Sequence, residues 1–415
     1  RLGKDLWTDG DDGDLIRLYA GFNEQDEARF IVEQIQVWTD EGNTRKSSAI
    51  LYRSNAQSRV IEEALIRGGL PYRIYGGQRF YERLEIRNAL AYLRLVIGRG
   101  DDPALERVIN TPTRGIGSKT IDDLRAIARD QGVSMWQAIV LTQQNNLLST
   151  RARSSLAGFA ALINELDSET LELPIEEMVE HVIHRTGLID FYKAEKGERG
   201  QARVENLEEL VSAAKTFRAE DDTLSPLQQF LDSAALDAGD TQADPYEDSV
   251  QMMTLHSAKG LEFPLVVLAG LEENLFPHRM SVEEPGRLEE ERRLAYVGIT
   301  RAQQRLLITY AESRRLHGNE TYNTPSRFVR EIPAALIEEV RLHGGLTRPL
   351  IDRFQQPARA SSESGLSFGQ RVVHPMFGEG VVLNMEGRGA NARIEVNFAE
   401  GSKWLVLQYA NLQAL

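Results

Sequence analysis

The sequence predicts an α/β protein: a parallel, helix-covered sheet built from two separated segments, an all-α domain inserted between them, and a small β-barrel at the end. Three observations predict it. Strand-length and helix-length patterns alternate over the first 75 residues, and strand patterns return after residue 250. Between about 77 and 246 nearly everything reads helical, with Arg, Glu, Ala and Leu dominant. The last 49 residues switch to short alternating runs separated by Gly and Asn.

Each element follows from local pattern. LIRLYAGF (15–22) is of strand length, and Asn23 is placed to cap the helix whose Ala28, Ile31, Ile35 and Trp38 fall at helical spacing. SAILYRS (48–54) is a second strand, and AQSRVIEEALIRGG a second helix that Gly68-Gly69 stops. VQMMTLHS (250–257), FPLVVLAGL (263–271) and RLLITYAES (305–313) are further strands, with a helical stretch LEEERRLAYVGI (288–299) before the last. The economical division is a discontinuous sheet domain over 1–76 and 247–343, and a helical insert over 77–246. A Gly-, Pro- and Ser-rich linker covers 344–366, expected to be mobile, and a barrel of about five strands covers 367–415. No internal repeat is evident.

Composition limits the possible functions. At 415 residues, two to four domains are expected. A net charge of −14 excludes a generally basic nucleic-acid coat, and residues 219–250 carry nine carboxylates with no Lys or Arg. Phosphate contacts must therefore be local. No apolar run approaches the 18 residues of a membrane span, and RLGKDLWTDGDD has no apolar core of a signal peptide. There is no cysteine, which fits a reducing cytosol. The chain starts with Arg1 and not Met, so it is expected to be a piece of something longer.

Several motifs come close to nucleotide chemistry. TRGIGSKT (113–120) approaches G-x-x-x-x-G-K-[ST], but Thr113 and Ser118 stand where both glycines belong, and a helix and turn precede it in place of a buried strand. It reads better as helix, G-I-G turn, helix. Gly115 and Gly117 permit positive φ, and the helix starting near Ser118 turns its free N–H groups outward, with Arg114 and Lys119 adding charge on either side. That arrangement suits a sequence-independent grip on a DNA phosphate, or a tight turn between packed helices. VVLAGLEE (266–273) imitates a metal-holding strand, yet Glu272 and Glu273 read as a solvated loop edge. His181 and His184 lie one helical turn apart without a third ligand, so no metal site is expected.

Two stretches are more specific. TLHSAKGLEFP (254–264) carries Thr254, His256 and Ser257 near the C-terminal end of a strand, where α/β ligand sites form. EEERRLAYVGITRA (289–302) ends a helical run on Arg301. Together they resemble motifs V and VI of superfamily 1A DNA helicases, and ILYRSNAQSR (50–59) is similar to motif IVa. The likeness extends over essentially the whole chain and points to the UvrD/PcrA (helicase II) group. It implies a second RecA-like domain, the helical insert called 2B, a linker and a Tudor-like (SH3-like) barrel. It also implies that Arg301 is an arginine finger directed at the γ-phosphate of ATP. Gly260 and Glu262 would lie at the nucleotide, with Glu262 on its sugar. Arg53, Asn55, Thr254 and His256 would contact single-stranded DNA, and Gly115, Ile116 and Gly117, flanked by Arg114 and Lys119, would meet duplex DNA at a fork. Plainer roles stand beside these: a helix C-cap for Arg301, a carboxylate partner for Arg53, a surface pair for Glu262, burial for His256.

No Walker A lysine, Walker B acid or catalytic glutamate is found in the chain, so by resemblance the Mg²⁺ ligands and the other wall of the ATP site belong to another RecA-like domain. The implied intact enzyme is a 3′-to-5′ translocase and helicase of DNA repair in the bacterial cytosol and nucleoid. Its partners would be forked DNA, repair proteins and RNA polymerase, with no membrane. Alone, the chain is expected to be inactive as an ATPase. The barrel has four basic and four acidic residues, which argues against strong DNA affinity, and Trp404 and Tyr409 either anchor a protein partner or fill its core. A non-enzymatic fork- or polymerase-binding module is the rival reading. A helicase-nuclease subunit is disfavoured, since the barrel has no cluster of metal-binding acids.

Overall fold

The computed structural model describes residues 13–195, 197–221, 223–239, 247–284, 286–316 and 319–340, and toward the C-terminus 371–374, 377–386, 393–398, 401–406, 410 and 412–414. The chain forms two compact units, Arg1–Pro349 and Leu350–Leu415.

The first unit is organised on a seven-stranded sheet. β1 (Ile16–Gly21), β2 (Ser48–Tyr52) and β3 (Tyr72–Ile74) come from the start of the chain. β4 (Val250–Thr254), β5 (Phe263–Leu268) and β6 (Ala302–Ala311) come from the later segment. β7 (Ser313–Leu316) and β8 (Asn319–Tyr322) pair as a separate antiparallel hairpin, and β9 (Ile337–Val340) returns to the sheet. The order is β3-β4-β2-β5-β6-β1-β9, and every pairing in it is parallel. Strands of the two segments interleave, β4 lying between β3 and β2, so neither segment builds the sheet alone. β3, β9 and the hairpin escape a search for apolar runs. β3 has three residues, and β9 (IEEV) has two acids in four; both are edge strands, which tolerate short and charged sequences.

Both faces of the sheet are covered, so β2 is buried along its whole length. Ile50 and Tyr52 join one core with Phe30, Ile31, Ile35 and Trp38 of α1 (Glu24–Asp40) and Val60, Ile61 and Leu65 of α2 (Ser58–Arg67). Ala49 and Leu51 face the other way, as the two-residue period requires. The side chain of Asn23 accepts the Asp26 N–H at 2.9 Å and caps α1 as its sequence predicts.

The middle of the chain is helical: α3 (Leu84–Ile97), α4 (Asp102–Val108), α5 (Ser118–Gln131), α6 (Met135–Asn145), α7 (Thr150–Thr170), α8 (Ile175–Arg185), α9 (Leu188–Lys193), α10 (Glu198–Thr216) and α11 (Pro226–Gly239). These helices share a core of their own, including Tyr92, Phe159, Ile163, Leu207 and Phe230, which does not merge with the cores of the sheet. Polar side chains make the junction. Arg59 Nε donates to Glu209 at 2.6 Å, and the Ser54 hydroxyl to Glu205 at 2.7 Å. His278 Nε2 lies 3.3 Å from Glu205, and Arg83, just before α3, donates through Nη1 to the Asn55 carbonyl at 2.9 Å and through Nη2 to the Ser58 hydroxyl at 2.7 Å. After β5 come α12 (Arg279–Glu283) and α13 (Arg287–Ile299); Leu294 and Ala295 of α13 pack on the second face of the sheet, as do Phe328 and Val329 of α14 (Arg327–Arg330).

The second unit contains β10 (Arg371–His374), β11 (Gly378–Glu386), β12 (Arg393–Phe398), β13 (Gly401–Val406) and β14 (Gln413–Ala414), an antiparallel sheet ordered β13-β12-β11-β10-β14. Val372, Ile394 and Val396 are its buried core. The backbone of Trp404 pairs opposite Glu395; Tyr409 and the linker 344–366 lie outside the described residues.

One expectation is overturned. Glu272 is fully buried and not on a solvated edge. It accepts the Ala311 N–H at 2.8 Å, Arg314 Nε at 2.7 Å and Asn323 Nδ2 at 3.2 Å. Glu27 grips the same guanidinium from α1, and also accepts the Gly270 N–H at 2.8 Å and the Thr309 hydroxyl at 2.6 Å. Glu273 pairs with Arg327 at 2.7 Å. Burial alone pushes the Arg314 pKa down, but Glu27 and Glu272 outweigh it and hold the pKa well above the ordinary value. Arg314→Met would leave two buried carboxylates facing each other. It is expected to destabilise the protein by about 3–5 kcal/mol, read as a fall in the urea midpoint.

Candidate functional site

The residues predicted for nucleotide and single-stranded DNA fall on two opposite edges of the seven-stranded sheet. At the carboxyl edge β2 and β4 end side by side, with Tyr52 in register with Thr254. Thr254 Oγ1 lies 3.1 Å from Ser257 Oγ and accepts the Ser257 N–H at 3.3 Å, and His256 is exposed next to them. Asn55 opens a short 3-10 turn after β2, and its carbonyl accepts Arg83 Nη1 at 2.9 Å.

Arg53 is at this edge but is not a free cation. Its Nε lies 3.0 Å from both oxygens of Glu291 and its Nη2 2.7 Å from one of them. The plainer alternative, a carboxylate partner, therefore describes Arg53. Glu291 also accepts the His278 N–H at 3.2 Å and the Ser281 hydroxyl at 3.1 Å. Burial pushes the Glu291 carboxyl up, but Arg53, His278 and Ser281 outweigh it and hold the pKa below the usual carboxylate range. Sequence reading missed Glu291 among the acids of EEERR. Helical period was the available signal, since Glu291 shares a face with buried Leu294, Ala295 and Gly298.

The amino edge holds Gly260, Glu262 and Arg301, because β5 and β6 start there in register, Phe263 opposite Ala302. Gly260 sits at φ +87°, a left-handed conformation that favours glycine. Glu262 is exposed, with Gln303 Nε2 3.4 Å from its carboxylate. Arg301 closes the end of α13: its Nε donates to the Val297 carbonyl at 3.0 Å, Nη1 to the Leu261 carbonyl at 2.7 Å and Nη2 to the Thr300 hydroxyl at 3.1 Å. The Arg301 carbonyl accepts the Phe263 N–H at 2.9 Å. Arg301 thus caps its helix and is stitched to the residues on either side of Glu262. The guanidinium remains half-buried, with three of its five N–H donors used in these bonds.

Two chain segments join these edges across one face of the sheet. The connection 255–262 runs from the end of β4 to the start of β5, and α13 with the two residues after it leads from Glu291 at one edge to Arg301 at the other. They touch at Gly298, where a Cβ would lie 2.6 Å from Leu255 Cδ2 and 3.0 Å from Leu268 Cδ2.

The glycine hairpin lies between α4 and α5. Asn110 Oδ1 accepts the N–H groups of Arg114 at 2.8 Å and Ile116 at 3.2 Å, and Ile116 is fully buried as an apolar pin. Gly115 takes φ +73°, but Gly117 does not use a positive φ: at φ −80° and ψ 171° it is the N-cap of α5, and no side chain caps that helix. Arg114 also departs from expectation. Its guanidinium turns inward to the carbonyls of Pro112 at 3.0 Å and Thr186 at 2.9 Å, and lies over the rings of Tyr92 and Phe159. Orphan carbonyls and aromatic faces hold the charge there. Lys119 and the open start of α5 are left facing solvent. Elsewhere His181 pairs with Glu169 at 2.7 Å, and no metal-holding cluster occurs among the described residues. None of the described helices is long and apolar enough to cross a membrane.

A parallel sheet shared by two chain segments, with a helical region between them and polar groups at both strand ends, places the chain in the α/β class. Within that class the chain belongs to the UvrD-like helicase C-terminal domain family, whose model matches residues 2–313. It is 54% identical over 418 residues to DNA helicase II of Escherichia coli (strain K12) and 52% identical to that of Haemophilus influenzae. It is 39% identical over 439 residues to the ATP-dependent DNA helicase PcrA of Bacillus subtilis (strain 168). In each case all of this chain is covered but only 58% of the relative, so the chain spans a little over half the length of the curated relatives it matches.

Because the Glu291 pKa is depressed in the folded state, its stabilisation is complete above its unfolded value of about 4.3 and is lost as pH falls through the folded value. Glu291→Gln is therefore expected to lower stability by about 2–4 kcal/mol at pH 7. The gap from the parent should narrow in thermal unfolding repeated near pH 4.

Proposed function

We propose that the chain is the second motor half of an ATP-dependent 3′-to-5′ DNA helicase and translocase of DNA repair, acting with a partner domain that supplies a phosphate-binding loop and the Mg²⁺ ligands. The observation that carries this reading is the pairing of Arg301 with the Gly260–Glu262 segment at the amino edge. A half-buried guanidinium with donors to spare beside an exposed carboxylate fits a triphosphate nucleotide: Glu262 would accept from its sugar and Arg301 would face its terminal phosphate. Bound there, ATP would supply the γ-phosphoryl group, whose transfer to water with ADP as the leaving group drives movement. Arg301 would neutralise charge growing on that group, and its carbonyl anchors fix the approach in advance.

Thr254, His256 and Asn55 are assigned to single-stranded DNA at the carboxyl edge. Gly115, Ile116, Gly117 and Lys119 are assigned to duplex phosphate at a fork, with Ile116 acting as the buried pin. Arg53 and Arg114 are positioning residues in this scheme, because both charges are engaged within the fold. The antiparallel unit after residue 370 is read as a Tudor-like barrel that docks RNA polymerase, with Trp404 and Tyr409 as its anchors. The protein is read as acting in the bacterial cytosol and nucleoid.

The chain alone is expected to show no DNA-stimulated ATP hydrolysis. In the protein that carries both motor domains, Arg301→Ala is expected to lower turnover by a factor on the order of 10³ or more, with nucleotide still bound. A purely capping role predicts a lower melting temperature with turnover per folded molecule unchanged, and that result would remove Arg301 from the reaction. Gly117→Asp tests the hairpin. Its added Cβ would meet nothing within 4 Å, and Asp is a favoured N-cap, so the fold is expected to hold. The carboxylate takes the helix N–H groups and repels phosphate, so junction affinity should fall about five- to thirtyfold in a low-salt gel shift.

A further inference from the structure

β3 is the outermost strand on its side of the sheet, and the residue that follows it has no role in the scheme above. Ile74 is in register with Met252, and the Tyr75 N–H donates to the Met252 carbonyl at 2.8 Å, so Tyr75 leaves the sheet at the carboxyl edge, next to the strand that ends at Thr254. Its side chain is half exposed, at 50%. Gly76, at φ +73°, and Gly77 follow it, so no adjacent side chain on that side shades the ring. A Cβ on Gly76 would lie 3.6 Å from Ser257 Oγ, which is itself 3.1 Å from Thr254 Oγ1. The tyrosine loop and the Thr254–Ser257 turn therefore touch.

Charge singles out the same place. The protein carries a net charge of −14, yet residues 72–81 (YRIYGGQRFY) and 249–261 (SVQMMTLHSAKGL) contain no carboxylate. Lys259 and His256 are exposed in the second stretch. The acids that bond these stretches are engaged, the buried Glu62 by the Tyr72 hydroxyl at 3.2 Å and the Phe80 N–H at 3.1 Å, and Glu82 by the Arg79 N–H at 3.3 Å. A planar ring followed by two glycines, beside two hydroxyls and an imidazole, on stretches with no carboxylate of their own, fits one base of a polyanion better than an apolar protein partner. The ring gives a face for stacking, and every base has one.

We propose that Tyr75 is a base-stacking residue of the single-strand path, extending that path from Thr254 and His256 onto the edge strand. The proposal rests on the assignment of single-stranded DNA to the carboxyl edge. Binding of the full chain to a fluorescent oligothymidylate, followed by anisotropy, tests both. Tyr75→Ala is expected to weaken binding about five- to hundredfold, while Tyr75→Trp holds or tightens it. An oligonucleotide of the same length with abasic sugars should erase the difference between Tyr75→Ala and the parent, since the backbone contacts remain. Equal affinity of the parent and Tyr75→Ala for oligothymidylate, or an equal loss on the abasic strand, would overturn the stacking role and leave the carboxyl-edge assignment standing. A parent chain that fails to hold oligothymidylate would overturn both.

Discussion

The close approach of α13 to the 255–262 connection, on one face of the sheet, is the constraint from which the rest of the site follows. Gly298 permits it: any side chain there would press into Leu255 and Leu268. With the two segments in contact, each can hold one end of its path at either strand edge. At α13's far end the Arg301 guanidinium bonds the Leu261 carbonyl, and near its start Glu291 receives Arg53. The helix has 13 residues, about 20 Å, so it spans the sheet from edge to edge without a break. Arg301 and His256 belong to opposite edges of one rigid layer.

Buried charge fixes this layer more than surface charge does. Glu291 collects Arg53, a backbone N–H and a hydroxyl, and Arg314 is shared by Glu27 and Glu272. In low dielectric each partner is needed, because a carboxylate left alone there is costly. Exposed pairs such as Arg292 with Glu331 add little, since water and salt screen them. The hubs tie elements from distant parts of the sequence: Arg53 after β2 with Glu291 of α13, and Glu27 of α1 with Arg314 of β7.

How much was legible follows from what each signal measures. Apolar periodicity located β1, β2, β4, β5 and β6, α1 with its Asn23 cap, and α13, because these elements bury one face or both. It overlooked β3 and β9, whose short edge position leaves little pattern to find. Motif spacing singled out Arg301, Glu262, Thr254 and His256 as candidates, though not that they divide between two edges, since that depends on the parallel register of β5 with β6 and of β2 with β4. Charge was the weakest guide. Arg114 and Glu272 read as solvent-facing in sequence and Arg53 as a DNA contact or an unspecified carboxylate's partner, and each is committed to a partner that only the fold brings near. Glu291 was in plain view among three acids, and only helical phase distinguishes it.

The seam between the sheet and the helical region carries a thermodynamic consequence. Arg59 with Glu209, Ser54 and His278 with Glu205, and Arg83 with Asn55 and Ser58 join two apolar cores that stay separate. Prising such a seam open wets guanidinium and carboxylate groups and uncovers little hydrocarbon. Heat capacity tracks hydrocarbon hydration, so a change of angle at this seam would be nearly silent to a calorimeter, while it rearranges most of the ion pairs between the two parts.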